Sequence, residues 1–384
     1  LGENTMAAKI WPLPWEGDRP AGNDTVWHSA PGVDYCQGWW KGRWREYVDR
    51  QNPATAATRI LDTVQHRRSV LFVKPDLWIV LDTLLASDQE QHTAEVLYHI
   101  DAEQAERAEN AVLATNKNKA GLLLAARPHP GLEVEIVTGK MEPPVQGWSA
   151  NVKRDRPKGI PMSAVPTAIF RQQWQERADL VTLVHPFPNG ETRATRCVNL
   201  ASSAGGQAAR IDISPAETYF WLHSDQPGQV IQAFAGEPDG AAQLTTDGQA
   251  ALAGGSGASF RLLLVHGRNV SGPGVQASVS QPATLSVLAM ADKTLVVSTD
   301  QAVEVTVGLA FLPSSGLTLH VLNRRGARVS PTPFAVGAEG TITWTAAAGR
   351  EYELNWGGDS VQDIRKAEQQ RADGELALPI RALP

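Results

Sequence analysis

Apolar residues in this chain recur in short bursts and at alternate positions, and almost nowhere at helical spacing. The densest stretch runs from His66 to Asp82, HRRSVLFVKPDLWIVLD. Its two bursts, Val70–Val73 and Leu77–Leu81, are rich in β-branched and aromatic residues, and Lys74-Pro75-Asp76 separates them. This predicts a β-hairpin with both strands largely buried and with Phe72, Leu77, Ile79 and Leu81 in the core. Pro75 lacks a backbone donor and belongs in the turn. His66-Arg67-Arg68 and Asp82 then gather at one end of the hairpin.

The same reading extends along the chain. Strands are expected at His92–Ile100, within 112–127, and at Leu132–Thr138, where Leu132, Val134 and Ile136 alternate with Glu133 and Glu135. Glu103–Asn110 reads as a polar connection. Residues 139–166, with five prolines, read as a long loop carrying Trp148, Lys153, Arg154, Arg156 and Lys158. Strands resume from Thr167–Gln173 and Asp179–His185 onward, with His185 ending its strand before Pro186. The predicted fold class is all-β: a large antiparallel β-sandwich followed by a small β-sandwich domain. Residues 1–25 are expected to be an extended segment and 26–270 the large sandwich. NVSGPG at Asn269–Gly274 marks the boundary to a small β domain at 271–356. Residues 357–384 read as a polar tail with one short helix over Asp359–Arg371.

Composition narrows the class. The net charge of −6 argues against a general nucleic-acid binder, and no apolar run approaches the roughly 18 residues of a membrane span. The two cysteines, Cys36 and Cys197, make neither a disulfide framework nor a zinc site. Buried thiols are the expectation, with a single bridge as the alternative in an oxidising compartment. Leu1 opens the chain without a basic or apolar leader, which reads as a piece of a longer protein.

HRRSVLFVKPDLWIVLD, followed by His92 and Tyr98-His99, resembles the β-sandwich part of heparinase II/III-like polysaccharide lyases. Further matches are Gln146-Gly147-Trp148, Val165-Pro166-Thr167 and Leu180–Pro186, so the resemblance covers roughly residues 25–270. It implies β-elimination on uronic-acid glycans, an acidic polysaccharide as partner, and a periplasmic or secreted location. It also implies an N-terminal α/α toroid, absent here, that carries the main catalytic Tyr and Asn. The family's HxHxD-like stretch is not visible. No two of the nine histidines lie within four residues of one another, so no local metal motif exists and no cofactor is visible. A divalent metal belongs to the expectation for a complete family member. The enzyme portion is therefore expected to be inactive alone. The alternative reading is a non-catalytic carbohydrate-binding or scaffolding β module.

Elimination needs a group to neutralise the C5 carboxylate, a base for the α-proton and an acid for the leaving O4. His66, beside Arg67 and Arg68, is the catalytic candidate. The plainer reading is a strand-edge histidine capping the hairpin. Trp39, Trp40, Arg43 and Trp44 interleave aromatics with cations, as do Trp148 and Arg154. Aromatic faces pack on sugar C–H faces and Arg binds carboxylate or sulfate, so these six are the candidate substrate-binding residues. Core packing is the competing role for each Trp. Residues 38–45 and 146–158 are expected to approach each other and wall a cleft.

Overall fold

The computed structural model describes residues 10–12, 25–40, 44–46, 60–117, 119–142, 145–150, 162–189, 191, 194–235, 242–256, 259–290, 293–310, 312–313, 315–337 and 340–356. Among these no α-helix occurs and the fold is all-β. The chain forms two compact units, Leu1–Trp27 with Tyr35–Arg193, and His28–Asp34 with Ala194–Pro384.

The chain begins with β1 (Ile10–Pro12), β2 (Val26–Ser29), β3 (Val33–Trp40), β4 (Trp44–Glu46), β5 (Ile60–Leu61), β6 (Val64–Val73), β7 (Leu77–Ala86) and β8 (His92–His99), of which His28–Asp34 count with the second unit. It continues with β9 (Gln104–Ala108), β10 (Ala111–Asn116), β11 (Lys119–Ala126), β12 (Glu133–Thr138), β13 (Trp148–Ala150), β14 (Met162–Ala164), β15 (Pro166–Trp174) and β16 (Arg177–Phe187). An eight-stranded sheet has the order β2-β3-β6-β7-β16-β11-β10-β9, and a three-stranded sheet the order β12-β15-β8. Val64, Leu124, Ala126 and Leu180 from the larger sheet pack against Ala94, Val96, Val134, Ala168 and Phe170 from the smaller. The alternation in β8, β12 and β15 supplies that inner face, while Glu95, Glu133 and Arg171 pair on the outer one.

The hairpin β6–β7 turns at Lys74-Pro75-Asp76 and keeps an unbroken register, with Arg68 opposite Asp82, Val70 opposite Val80 and Phe72 opposite Trp78. One face of it is buried: Leu71, Leu77, Ile79 and Leu81 are each at most 2% exposed. The other face carries Phe72, which is only half-buried. Phe72 thus departs from the expected core set because strand alternation puts it opposite in sense to Leu71 and Ile79.

Several other expectations change. Gln104–Ala108 is the edge strand β9, hidden in the sequence because its side chains are mostly exposed and polar. His185 does not end its strand: β16 runs to Phe187, and past Val184 its pairing with β7 has stopped, so Pro186 removes no bond on that side. Trp148 lies in strand β13, paired with β14 through Trp148 and Ala164. Gly147 makes the entry possible, since at its φ of +78 a Cβ would stand 2.6 Å from the Gly139 backbone nitrogen.

The second unit holds one 16-stranded sheet system that runs from Arg196–Asn199 to Arg350–Asn355. Its core gathers Leu222, Leu262, Leu264, Leu285, Val305, Trp344 and Leu354. The boundary expected at Asn269–Gly274 falls inside a hairpin: Ser259–Gly272 pairs with Val275–Met290, with Gly272 opposite Val275. Gly and Pro mark a tight reversal as readily as a linker, and here they make the reversal. The tail at 357–384, with its expected helix, and most of the N-terminal segment lie outside the described residues.

Candidate functional site

The charged end of the β6–β7 hairpin is built around Asp82. Its carboxylate is 3% exposed and accepts from two residues of the neighbouring strand. His66 Nε2 lies 2.6 Å from Oδ1. Arg68 donates from Nε to Oδ1 at 2.7 Å and from Nη2 to Oδ2 at 2.9 Å, a bidentate pair. Residues 66, 68 and 82 share one side because Arg68 stands opposite Asp82, and His66 is two residues along the same strand. The His66 side chain is 24% exposed and that of Arg68 50%, so both reach solvent from a buried anchor.

Electrostatics follow from this placement. Burial pushes the Asp82 carboxyl up, but the hydrogen bonds from His66 and Arg68 outweigh it and hold the group below the usual carboxylate range. Burial alone would lower the Arg68 guanidinium, and Asp82 reverses that. The Tyr98 hydroxyl is buried near Thr182 without a hydrogen bond of good geometry. Burial raises its pKa, with the Asp82 charge adding to the effect.

A second Asp–His pair stands farther along the chain. Asp88 Oδ1 lies 2.7 Å from His92 Nε2, Thr63 donates to Oδ2, and the His92 ring lies 4.8 Å from that of Trp174. On the opposite side of β6 from His66, the Arg67 guanidinium sits 5.0 Å over the Trp39 ring, and Thr83 links Arg67 to Asp179. Tyr35 is buried there and donates to Gln37 at 3.1 Å, and burial pushes its hydroxyl up to about 12.

The residues singled out in the sequence are therefore dispersed. His66 is in the Asp82 cluster. Trp39 faces the other side, with Nε1 donating to Gln65 at 3.3 Å. Trp40 is half-buried and, by alternation, points to the opposite side from Trp39. Trp148 donates from Nε1 to the Lys140 carbonyl at 3.0 Å. The backbone of Trp44 pairs with Pro12 and Leu61. Arg43 and Arg154 lie outside the described residues, and with them the expected approach of 38–45 to 146–158. His99 is exposed, its Nδ1 2.9 Å from Thr167 Oγ1. The partnership of Asp82 with Arg68 was missed in the sequence, although counting back symmetrically from Pro75 pairs them. Among the described residues no group of three or more His, Cys, Asp or Glu is placed to hold a metal ion, and no helix is long and apolar enough to cross a membrane.

No model of a known family matches the chain, and no curated protein matches it. Solved structures give distant polysaccharide-lyase likenesses. The heparan sulfate lyase HepC from Pedobacter heparinus is 12% identical with a TM-score of 0.33, over 50% of this chain and 26% of that one. A mutant chondroitin AC lyase from Streptomyces coelicolor A3 is 12% identical with a TM-score of 0.39, over 84% of this chain and 35% of that one. The chain thus matches about a quarter to a third of the length of these enzymes.

Proposed function

We propose that the chain is the β-sandwich portion of a polysaccharide lyase that cleaves uronic-acid-containing glycans by β-elimination, acting with an α/α toroid and exported to the periplasm or beyond. One observation carries this reading: Asp82 holds His66 and Arg68 together on one side of the hairpin. Arg68 would offer its half-exposed guanidinium to the substrate carboxylate, which makes the C5 proton more acidic. His66 would take that proton as the C5–H electrons form the C4=C5 double bond and the C4–O4 bond breaks. The proton for the departing O4 comes from the toroid, so this portion alone binds without turnover.

The test is calorimetric titration of the purified chain at low salt with oligosaccharides of heparan sulfate, hyaluronan and alginate, and with a neutral glucan. Acidic glycans should bind, weaken as salt rises, and weaken several-fold in Arg68→Gln. Equal binding of the neutral glucan would sink the acidic-substrate reading. Release of unsaturated uronide by the chain alone, followed by the absorbance of its new double bond, would show that no toroid is needed.

A further inference from the structure

The hairpin face that carries Arg68 and Asp82 does not end with them. Successive cross-strand pairs on that face are Arg68 with Asp82, Val70 with Val80, and Phe72 with Trp78. They form a ladder from charged through aliphatic to aromatic. Phe72 and Trp78 stack in parallel, with ring centroids 4.3 Å apart and planes 6° from each other. Phe72, Trp78 and Val70 are half-buried, and so is Val184, which continues the Trp78 row on β16. The opposite face of the same two strands is closed, with Ser69, Leu71, Val73, Leu77, Ile79, Leu81 and Thr83 all buried. Along β6 the step from Arg68 to Phe72 is about 13 Å, four strand residues, a span that a short oligosaccharide covers and a single sugar does not.

We propose that the Phe72–Trp78 pair is a sugar-ring subsite that holds a glycan residue beyond the immediate neighbour of the one whose carboxylate is bound by Arg68. This rests on the acidic-glycan reading above and deepens it. Two features select the occupant. An aromatic pair in a half-open strip matches the apolar C–H faces of a pyranose, and the cationic end of the strip matches the anionic group of an acidic glycan. Val70 and Val80 floor the space between them and add apolar surface with no polar group to satisfy. The aromatics expected to serve sugar at Trp39 and Trp148 are instead tied to Gln65 and to the Lys140 carbonyl.

The experiment compares a disaccharide with a longer oligosaccharide of one acidic glycan by calorimetry, using the full chain and its variants Trp78→Leu, Phe72→Leu, Trp78→Phe and Arg68→Gln. Melting curves establish that each variant folds, and Phe72→Leu carries the test if Trp78→Leu does not fold. The leucine variants should weaken the longer ligand about three- to tenfold and leave the disaccharide unchanged, while Trp78→Phe keeps most of the affinity. Arg68→Gln should weaken both ligands. If the leucine variants bind the longer ligand as tightly as the unmodified chain while Arg68→Gln still weakens it, the subsite is overturned and the acidic-glycan reading stands. If the unmodified chain binds no acidic glycan, both are overturned.

Discussion

Asp82 and Asp88 hold histidines at 2.6 and 2.7 Å, on or just beyond the same strand, yet they are different objects. Asp82 is 3% exposed and ties two residues of β6. Asp88 is 20% exposed and braces the loop between β7 and β8 through His92 and Thr63. The geometry of the two pairs is alike, and burial separates them. An interior carboxylate stripped of partners becomes an uncompensated charge, whereas an exposed one is taken over by water.

The comparison is most sharply tested at Asp82. Stripping it of both partners, in the double variant His66→Ala/Arg68→Ala, leaves an uncompensated buried charge and should cost about 3–5 kcal/mol in denaturant unfolding. A loss below about 1 kcal/mol would show that solvent already screens the cluster. Ile79→Ala, on the closed face of the same hairpin, should cost about 2–5 kcal/mol. Phe72→Ala on the half-open face should cost less, about 1–2 kcal/mol, and equal losses at the two positions would erase the distinction between the faces.

Acid and alkali probe the same contrast with the signs worked out. Both Asp carboxyls are depressed in the folded state, Asp88 to about 2. Their stabilisation is therefore present above the unfolded value near pH 4 and is lost as pH falls through the folded values. Asp82→Asn should flatten the acid limb of a stability–pH curve more than Asp88→Asn does. At the other extreme, Tyr35 ionises near pH 10 when unfolded but only at about 12 when folded. Stability should fall as pH rises through that window, and Tyr35→Phe should lessen the fall. The smallest effect is expected for Asp88→Asn at neutral pH: a slight drop in melting temperature that high salt mostly removes.

Much of the strand plan was legible because its half-buried strands alternate clearly. Leu132, Val134 and Ile136 announced β12, and the bursts around Pro75 announced β6 and β7. Edge strands were not legible in this way. β9 exposes nearly every side chain, so it carries no alternation to read. Ile231–Phe234 and Ala242–Thr246 are strands that went unread for another reason, since each is only four or five residues long. Of the candidate site, His66 was singled out for its company of arginines. Asp82, which organises it, looked like a strand terminus because β7 was expected to finish there, whereas the strand continues to Ala86.

Composition and pattern by themselves determined that this chain is all-β, that its central hairpin turns at Pro75, and that charge gathers at one end of it. Those properties are local: they follow from β-branching, alternation and a missing backbone donor. Only the tertiary structure decided which hairpin face is closed, that Arg68 and His66 converge on one carboxylate, and that Asn269–Gly274 reverses a strand instead of parting two domains. Each of those depends on which surfaces are removed from water, and burial is set by segments distant in the chain, as Val96 and Phe170 show where they close over Leu180.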